Sequence, residues 1–357
     1  MKVYRLQNIG SINGLVVCEE PIPEPGPGEV LVNIKATSLN FRDLTIINGW
    51  SPFPLEAGRV QLSDAAGVVE AVGAGVTRFA AGDRVANNFM PGWHAGPFRE
   101  FGPQFGTQMD GWMAEYRAIG QNELVAIPDL ISFVDAATLP CAAVTAWNAV
   151  ADVGPHHRVL TQGTGGVSLF ALQFAKARGA QVIATTSSNE KAQRLRALGA
   201  DHVINYGEHP NWGEQAKVLT GGRGVDRVVE VGGPGTFAQS LKAIALSGQV
   251  SMVGVLAEGE MPGYLDIFLT FARFQTIATG NRQDLENVIA AVAHNGIRPV
   301  IDSRFTFDEG KAAFEHFAKR NVFGKVVITN EAGEIRKAAV TAPVRRVLSH
   351  PINARST

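Results

Sequence analysis

The fold of this chain is decided by the stretch Val159-Leu160-Thr161-Gln162-Gly163-Thr164-Gly165-Gly166-Val167-Ser168. A short apolar run enters a glycine turn, a helical pattern over 169–178 leaves it, and a second strand pattern follows at 181–186. Together they form a strand–helix–strand unit of about 30 residues. In such a unit the first glycine allows the tight turn, the second lets backbone approach a pyrophosphate, and the helix N-terminus faces the negative charge. The stretch therefore predicts a dinucleotide cradle over 163–167.

The patterns on either side of the cradle predict two kinds of structure. From about residue 128 to 277, strands alternate with helices of about 10–15 residues, which predicts a doubly wound parallel sheet. Residues 1–127 carry short strand patterns separated by glycine and proline, which predicts an all-β, barrel-like domain. Residues 331–357 turn polar and basic, and we expect a mobile tail there, with an arm docked on a neighbouring subunit as the alternative.

Composition narrows the class of partner. The net charge is −1, with 32 Lys and Arg against 33 Asp and Glu, so nothing favours nucleic acid or a membrane surface. The two cysteines cannot form a disulfide framework and favour a reducing compartment. The N-terminus has no apolar signal core, and no apolar run reaches the roughly 20 residues of a spanning helix. We expect a cytoplasmic protein that binds a small-molecule substrate.

Several short motifs, in order, resemble those of the medium-chain dehydrogenase/reductase superfamily over roughly residues 1–330. They are Pro25-Gly26-Pro27-Gly28-Glu29-Val30, Asn40-Phe41-Arg42-Asp43, Asp64-Ala65-Ala66-Gly67-Val68-Val69, Gly82-Asp83-Arg84-Val85, Leu139-Pro140-Cys141 with Thr145-Ala146-Trp147, Leu198-Gly199-Ala200-Asp201, and Phe323-Gly324-Lys325-Val326-Val327. The resemblance implies an α/β protein in which residues 1–127 and 278–330 form a GroES-like β-barrel catalytic domain. Residues 128–277 would form a Rossmann dinucleotide-binding domain.

The resemblance also bears on zinc, which needs three protein ligands from Cys, His and acidic side chains. The positions that match the ligands of the zinc enzymes hold Asn40, Ser63-Asp64 and Cys141 here. Asparagine is a poor zinc ligand and serine is rarely one, so we predict no metal. Residues 91–112 contain no cysteine, so the four-cysteine structural lobe is also absent. The chain resembles the zinc-free branch, whose motif has Asn at position 40. Its glycine turn, however, is closer to the alcohol dehydrogenase form, which leaves the substrate open.

The end of the second Rossmann strand predicts the phosphorylated dinucleotide. An NAD site places Asp or Glu there, whereas this strand ends in Thr185-Thr186-Ser187-Ser188-Asn189 with Lys191 close behind. Hydroxyls and cations accept a 2′-phosphate that an acid would repel. We therefore predict NADPH (NADP+) bound by Ser187, Ser188 and Lys191, with helix capping as the alternative role of the serines. The resemblance adds Tyr206 on the same side.

Other residues of the cofactor crevice follow from strand ends and from the resemblance. Gly232, Gly254 and Val255 end parallel strands, where backbone would line the crevice. Thr145 matches the family threonine near the nicotinamide, with a hydroxyl bonded to its own helix as the alternative. Lys325 matches a cofactor-side lysine, with a solvated surface lysine as the alternative.

For the chemistry the sequence offers Asn40, Arg42 and Asp64 as catalytic candidates. Asn40 could bond the substrate carbonyl or the cofactor, or simply form a turn. Arg42 could instead pair with Asp43 and pin the loop. Asp64 could donate a proton only if burial raised its pKa. Because 40–51 contains no tyrosine, water is expected to deliver the proton, and the long aromatic loop 87–112 is a candidate lid.

These observations favour a zinc-independent, NADPH-dependent oxidoreductase that transfers hydride to a quinone or an α,β-unsaturated carbonyl. A metal-free alcohol dehydrogenase or carbonyl reductase is the alternative within enzymes. A non-catalytic NADPH-binding protein is the alternative of another class. The resemblance further implies a homodimer, with the strand at 249–254 as the candidate sheet edge between the two copies.

Overall fold

The computed structural model describes residues 1–330, and the predicted tail, 331–357, lies outside the described residues. The strands in chain order are β1 (Lys2–Leu6), β2 (Leu15–Glu19), β3 (Glu29–Ser38), β4 (Asp64–Val72), β5 (Arg84–Asn87), β6 (Tyr116–Gly120), β7 (Leu124–Ala126), β8 (Arg158–Gln162), β9 (Gln181–Thr186), β10 (His202–Asn205), β11 (Val225–Glu230), β12 (Ile244–Met252), β13 (Arg273–Thr276), β14 (Ile301–Thr306) and β15 (Lys325–Thr329). The helices are α1 (Phe41–Ile47), α2 (Phe133–Ala136), α3 (Val144–Ala149), α4 (Gly166–Ala177), α5 (Asn189–Ala197), α6 (Trp212–Leu219), α7 (Pro234–Ala243), α8 (Tyr264–Phe268), α9 (Arg282–Asn295) and α10 (Gly310–Ala318).

The first sheet is built mainly from the N-terminal part of the chain. Its strands run in the order β14-β15-β3-β4-β5-β7, with β6 also paired to β3, and β1 and β2 form a separate antiparallel pair. The long strand β3 lies antiparallel to β4, so Ser38 pairs with Asp64 at the end that faces the rest of the molecule. Strand β15 returns from the C-terminal part and pairs with β3, which brings residues near 325 beside residues near 38.

The second sheet is parallel, with the order β10-β9-β8-β11-β12-β13. Each strand is followed by a helix in the first half, and the strand order reverses between β8 and β11. Ligands of open parallel sheets bind in the crevice at the carboxyl ends of the strands, where this order reverses. The predicted glycine turn leaves β8 at this point. The α/β fold class, with its GroES-like and Rossmann parts, is confirmed.

Two sequence predictions differ from the structure. The apolar stretch at 134–151 is broken into α2, a π-helical turn Leu139–Ala143 and α3. Pro140, within that turn, has no amide hydrogen to donate, which favours such a break. The strand predicted at 249–254 is also wrong as a sheet edge, because β12 lies between β11 and β13. Among the described residues, β13 is the edge strand on this side of the sheet and β10 is the edge strand on the other side. Within residues 1–330, no helix is both long and apolar enough to cross a membrane.

Candidate active site

The glycine turn leaves an open surface at the N-terminus of α4. Gly163 has φ +72°, a conformation that favours glycine, and an added Cβ there would meet no atom within 4 Å. Gly165 is the exposed N-cap of α4, no side chain caps the helix, and its Cβ position is equally open. Free N–H groups and open space at a helix N-terminus fit a pyrophosphate. The residues present therefore fit a dinucleotide.

The other half of the turn packs against the returning β15. The Thr164 hydroxyl donates to the Val322 carbonyl at 3.0 Å, and the Gly324 amide donates to the Thr164 carbonyl at 2.9 Å. A Cβ on Gly166 would lie 2.8 Å from Lys325 Cδ. Thr164 and Gly166 thus join the turn to the first domain, while Gly163, Gly165 and the half-buried Val167 remain beside the crevice.

A buried carboxylate fixes the neighbouring loops of the crevice. Glu230 is 1% exposed, and its Oε1 accepts from the Gly232 and Gly233 amides at 2.9 Å. Its Oε2 accepts from Gln162 Nε2 at 2.8 Å, which links the ends of β8 and β11. The sequence analysis missed this pair. The signal was an acid that follows the apolar pair Val228-Val229 at the carboxyl end of β11, a position where burial demands hydrogen-bond donors.

The loop after β12 packs on the loop after β11. The Leu256 amide donates to the Gly232 carbonyl at 2.9 Å, and the Gly254 amide lies 3.4 Å from the Glu230 carbonyl. The Val255 side chain is 64% exposed at this end of the sheet. The structure thus brings the three predicted strand-end residues together beside the glycine turn.

The predicted 2′-phosphate site lies at the ends of β9 and β10. Ser188 is the N-cap of α5 and accepts from the Lys191 amide at 3.3 Å, whereas Ser187 is exposed and forms no cap. Tyr206 is 41% exposed, and its amide donates to the Thr186 carbonyl at 2.9 Å. Burial lowers the pKa of Lys191, with Asp302 opposing the shift.

An acidic group that the sequence analysis missed lies in the same region. Glu208 Oε1 accepts from Asn189 Nδ2 at 2.5 Å and from Asn205 Nδ2 at 3.2 Å. The Thr186 hydroxyl, 1% exposed, has no hydrogen-bond partner among residues 1–330. A buried hydroxyl without a partner at this strand end is free to bond a ribose or phosphate oxygen.

A buried polar centre lies where the two sheets meet. Lys325 Nζ donates to Asn40 Oδ1 and to the Leu39 carbonyl, both at 2.6 Å. Asn40 Nδ2 lies 3.5 Å from Ser63 Oγ, which donates to Asp64 Oδ1 at 3.2 Å. Asn40 is 8% exposed, Lys325 3%, and both Ser63 and Asp64 0%. The sequence predicted Lys325 on the cofactor side, whereas its ammonium group contacts Asn40, one of the predicted catalytic residues.

Asp64 and Thr145 both contact the backbone around Cys141. Asp64 Oδ2 accepts from the Cys141 amide at 3.2 Å, and the Thr145 hydroxyl donates to the Cys141 carbonyl at 2.7 Å. Thr145 is thus bonded to its own helix, as the alternative for it stated. Burial raises the pKa of Asp64, and the Lys325 charge opposes this. Burial also raises the pKa of the Cys141 thiol, with Asp64 adding to the shift.

Arg42 turns away from this centre and holds the aromatic loop. Its Nη1 and Nη2 both donate to the Phe105 carbonyl at 3.0 Å, and the guanidinium lies 5.5 Å from the centre of the Phe89 ring. Its Nη1 is 3.5 Å from Asp43 Oδ1, so a structural pair pins the loop. Asp43 Oδ2 accepts from the Asn40 amide at 2.7 Å.

The loop 87–112 divides into an outer and an inner part. Trp93, Phe98 and Phe101 form a chain of ring contacts, with centroids 4.8 Å and 4.7 Å apart, which continues to Phe53 at 5.0 Å. By contrast, three other aromatic residues of the loop are buried in the first domain: Phe89 is 7% exposed, and Phe105 and Trp112 are each 1% exposed. Only the outer part can act as a lid.

The donor set does not fit a zinc ion. Asp64 and Cys141 supply one carboxylate and one thiol with a raised pKa, and the Lys325 ammonium adds positive charge nearby. Within residues 1–330, no group of three or more His, Cys, Asp and Glu side chains could hold a metal. Three protein ligands are the usual minimum for catalytic zinc.

Comparison with known proteins shows the family to which the chain belongs. Residues 26–129 match the alcohol dehydrogenase GroES-like domain, and residues 166–294 match the zinc-binding dehydrogenase family. A zinc-type alcohol dehydrogenase-like protein of Schizosaccharomyces pombe is 41% identical over 87% of this chain and 93% of its own length. The chain is a medium-chain dehydrogenase/reductase.

Two further relatives carry the names of two different activities, quinone reduction and alcohol oxidation. A quinone oxidoreductase of Pseudomonas aeruginosa is 32% identical over 85% of this chain and 92% of its own length. The crystal structure of a putative alcohol dehydrogenase from Sinorhizobium meliloti matches with a TM-score of 0.86 and 41% identity, covering 92% of this chain and 98% of that one. This medium-chain dehydrogenase/reductase is accordingly an oxidoreductase with an NAD(P)-binding fold that acts on a small molecule.

Proposed function

We propose that this protein is a zinc-independent, NADPH-dependent reductase that transfers hydride to a quinone or an α,β-unsaturated carbonyl. The observation that carries the proposal is the buried centre of Asn40, Ser63, Asp64, Cys141 and Lys325. Its residues include the positions that match the zinc ligands of the metal-dependent enzymes, but the side chains at these positions do not form a donor set that fits zinc. A conjugated acceptor spreads the developing charge over several atoms, so it needs less stabilisation at one oxygen than a saturated carbonyl does.

The strand-end chemistry supports NADPH as the cofactor. No acid ends β9, Ser187 and Tyr206 are exposed, and Lys191 supplies a cation in the first turn of α5. Glu208 opposes a 2′-phosphate, but its carboxylate is engaged with the amides of Asn189 and Asn205. The cation and hydroxyls therefore dominate the surface open to the phosphate.

In this proposal, the bound dinucleotide supplies the hydride, and the protein orients the reactants and excludes water. Gly163 and Gly165 receive the pyrophosphate, and Gly232, Gly254 and Val255 line the crevice beyond it. Trp93, Phe98 and Phe101 cover an apolar acceptor. Solvent delivers the proton, since the centre holds no tyrosine.

A metal-free alcohol dehydrogenase or carbonyl reductase is the second candidate. The two relatives at 41% identity are described as alcohol dehydrogenases or alcohol dehydrogenase-like, which favours this reaction class. One assay separates the candidates. Oxidation of NADPH is followed with quinones, enones, saturated aldehydes and ketones, after dialysis against a chelator. We expect turnover with quinones or enones that survives chelation. Turnover with saturated carbonyls alone would favour the second candidate, and tight NADPH binding without any turnover would favour a non-catalytic protein.

A paired substitution tests the choice of cofactor. Lys191→Ala should raise the Kd for NADPH about tenfold and leave the Kd for NADH unchanged, because it removes one charge-assisted contact to phosphate. Glu208→Gln should strengthen NADPH binding, because it removes a negative charge. Fluorescence titration of both cofactors measures this. Equal Kd values for NADH and NADPH in the natural protein would contradict the assignment.

We also infer a homodimer. The strand that we propose for the contact between the two copies is β13, instead of the strand at 249–254 that the sequence suggested. One side of β13 pairs with β12, and no described strand pairs with the other side. Such an edge is a template for a second copy. A cytoplasmic location agrees with two free cysteines.

A further inference from the structure

Lys325 connects the cofactor turn to the polar centre of the active site. It follows Gly324, whose amide bonds the glycine turn, and the Lys325 stem passes along Gly166. Its Nζ reaches Asn40 Oδ1 and the Leu39 carbonyl at 2.6 Å. A lysine on the cofactor side would direct its charge at the phosphates, but this one directs it at the positions that match zinc ligands.

The described residues around the Lys325 ammonium accept hydrogen bonds from some, but not all, of its N–H groups. A buried charge is costly unless polar groups compensate it, and here two oxygen acceptors contact Nζ while the buried Asp64 lies in the same centre. An ammonium has three N–H donors, and residues 1–330 accept two of them. One donor thus remains for an oxygen atom that enters from the crevice.

The first acceptor also fixes the Asn40 amide. Because Asn40 Oδ1 accepts from Lys325, its Nδ2 must face Ser63, 3.5 Å away. Ser63 in turn donates to Asp64. The chain of donors runs from the Lys325 ammonium to the Asp64 carboxylate. Burial lowers the pKa of Lys325, and the negative charge of Asp64 is the largest influence that opposes this shift.

We propose that the Lys325 ammonium is the resident cation of this active site, in the place that the metal-dependent relatives give to zinc. Its third N–H stabilises the negative charge that develops on the substrate oxygen. This inference rests on the proposed reductase function. In that reaction the hydride adds to the electrophilic carbon and the nicotinamide is oxidised. The electron pair of the conjugated double bond moves to the substrate oxygen, and water then supplies the proton.

A zinc-binding comparison tests where the charge lies, without using activity. The variants N40C/S63H and N40C/S63H/K325M both complete a ligand trio with Cys141. After equilibration with zinc and gel filtration, we expect bound zinc in the triple variant and at least about tenfold weaker binding in the double variant, because the ammonium repels the ion. Equal zinc binding by the two variants, at any level, overturns the proposal. Thermal melts confirm that both are folded.

Steady-state kinetics of the natural chain test the role in the reaction. Lys325→Met should lower kcat about 100-fold, the usual cost of losing one donor to a developing oxyanion, and leave the Kd for NADPH unchanged. Lys325→Arg should restore part of the rate. Lys242→Met, which removes an exposed lysine of α7, is the matched control.

The outcomes separate the two proposals. A raised Kd for NADPH with kcat retained would assign Lys325 to the cofactor and overturn this inference. If the natural protein reduces no acceptor, the proposed function fails, whereas the zinc comparison still decides the position of the charge.

Discussion

Asp43 is a buried carboxyl group beside the candidate active site. It is 1% exposed, and its Oδ1 accepts no hydrogen bond from residues 1–330. Burial raises its pKa to about 6 from the ordinary 3.8, although Arg42 lies beside it. The folded chain therefore holds this proton more tightly than the unfolded chain does, and its contribution to stability is lost as the pH rises from about 4 through 6.

Asp43→Asn should remove this pH dependence, because the amide keeps an acceptor for the Asn40 amide and cannot ionise. In the natural chain, ionisation of Asp43 should lower the free energy of unfolding by about 1 kcal/mol as the pH rises from 5 to 7. Urea denaturation at the two pH values measures it. Asp129→Asn, whose side chain is 99% exposed, is the control and should keep the natural slope. An unchanged slope in Asp43→Asn would contradict the prediction.

At the scale of elements, the N-cap and the first residue of α4 are adjacent glycines with different constraints. Gly165 has φ −76° and open space at its Cβ position, so alanine fits its backbone. A Cβ on Gly166 would lie 2.8 Å from Lys325 Cδ and 3.1 Å from Ala142 Cβ. One glycine keeps the ligand surface open, and the other allows β15 to approach the helix.

Two alanine substitutions separate these roles. Gly165→Ala should keep the natural melting temperature and raise the Kd for NADPH about tenfold or more, since its methyl group enters the space for the pyrophosphate. Gly166→Ala should lose about 1–3 kcal/mol of stability through overpacking. Each variant is the other's control. Equal effects on melting and on binding would show that the two positions are not distinct.

At the scale of the whole molecule, apolar side chains cluster beside the free edge of the parallel sheet. The exposed ones are Tyr264 at 80%, Leu265 at 64%, Phe268 at 52%, Leu269 at 56% and Phe271 at 62%. They belong to α8 and to the residues that lead from it into β13. Exposed apolar patches of this kind are typical of interfaces, and in the proposed dimer a two-fold axis would pair β13 with its copy.

We expect light scattering to give twice the chain mass of 38.0 kDa. Leu265→Glu should shift the protein to a monomer, because a carboxylate would be buried without a partner. Leu130→Glu, which changes a residue 59% exposed in the loop before α2, should leave the dimer intact. A natural protein that remains monomeric at high concentration would remove the dimer.

The fold and the glycine turn could be predicted from the sequence, because both depend on local patterns. Alternating strands and helices specify the parallel sheet, and Gly163 supplies the positive φ that the turn after β8 requires. The residue types of Asn40, Ser63 and Cys141 are likewise known from the sequence, and with them the poor donor set for zinc. The capping role of Ser188 was one of two stated alternatives, and a cap is likewise a local feature.

The positions of the charges could not be predicted in this way, because they follow from contacts between residues far apart in the chain. Lys325 and Asn40 are 285 positions apart, and only the pairing of β15 with β3 brings Nζ to the amide. Glu208 reaches Asn189 because β10 lies beside β9, and β13 replaces β12 as the sheet edge because one further strand is added. A side chain's partner and burial depend on topology and packing, which neither composition nor periodicity contains.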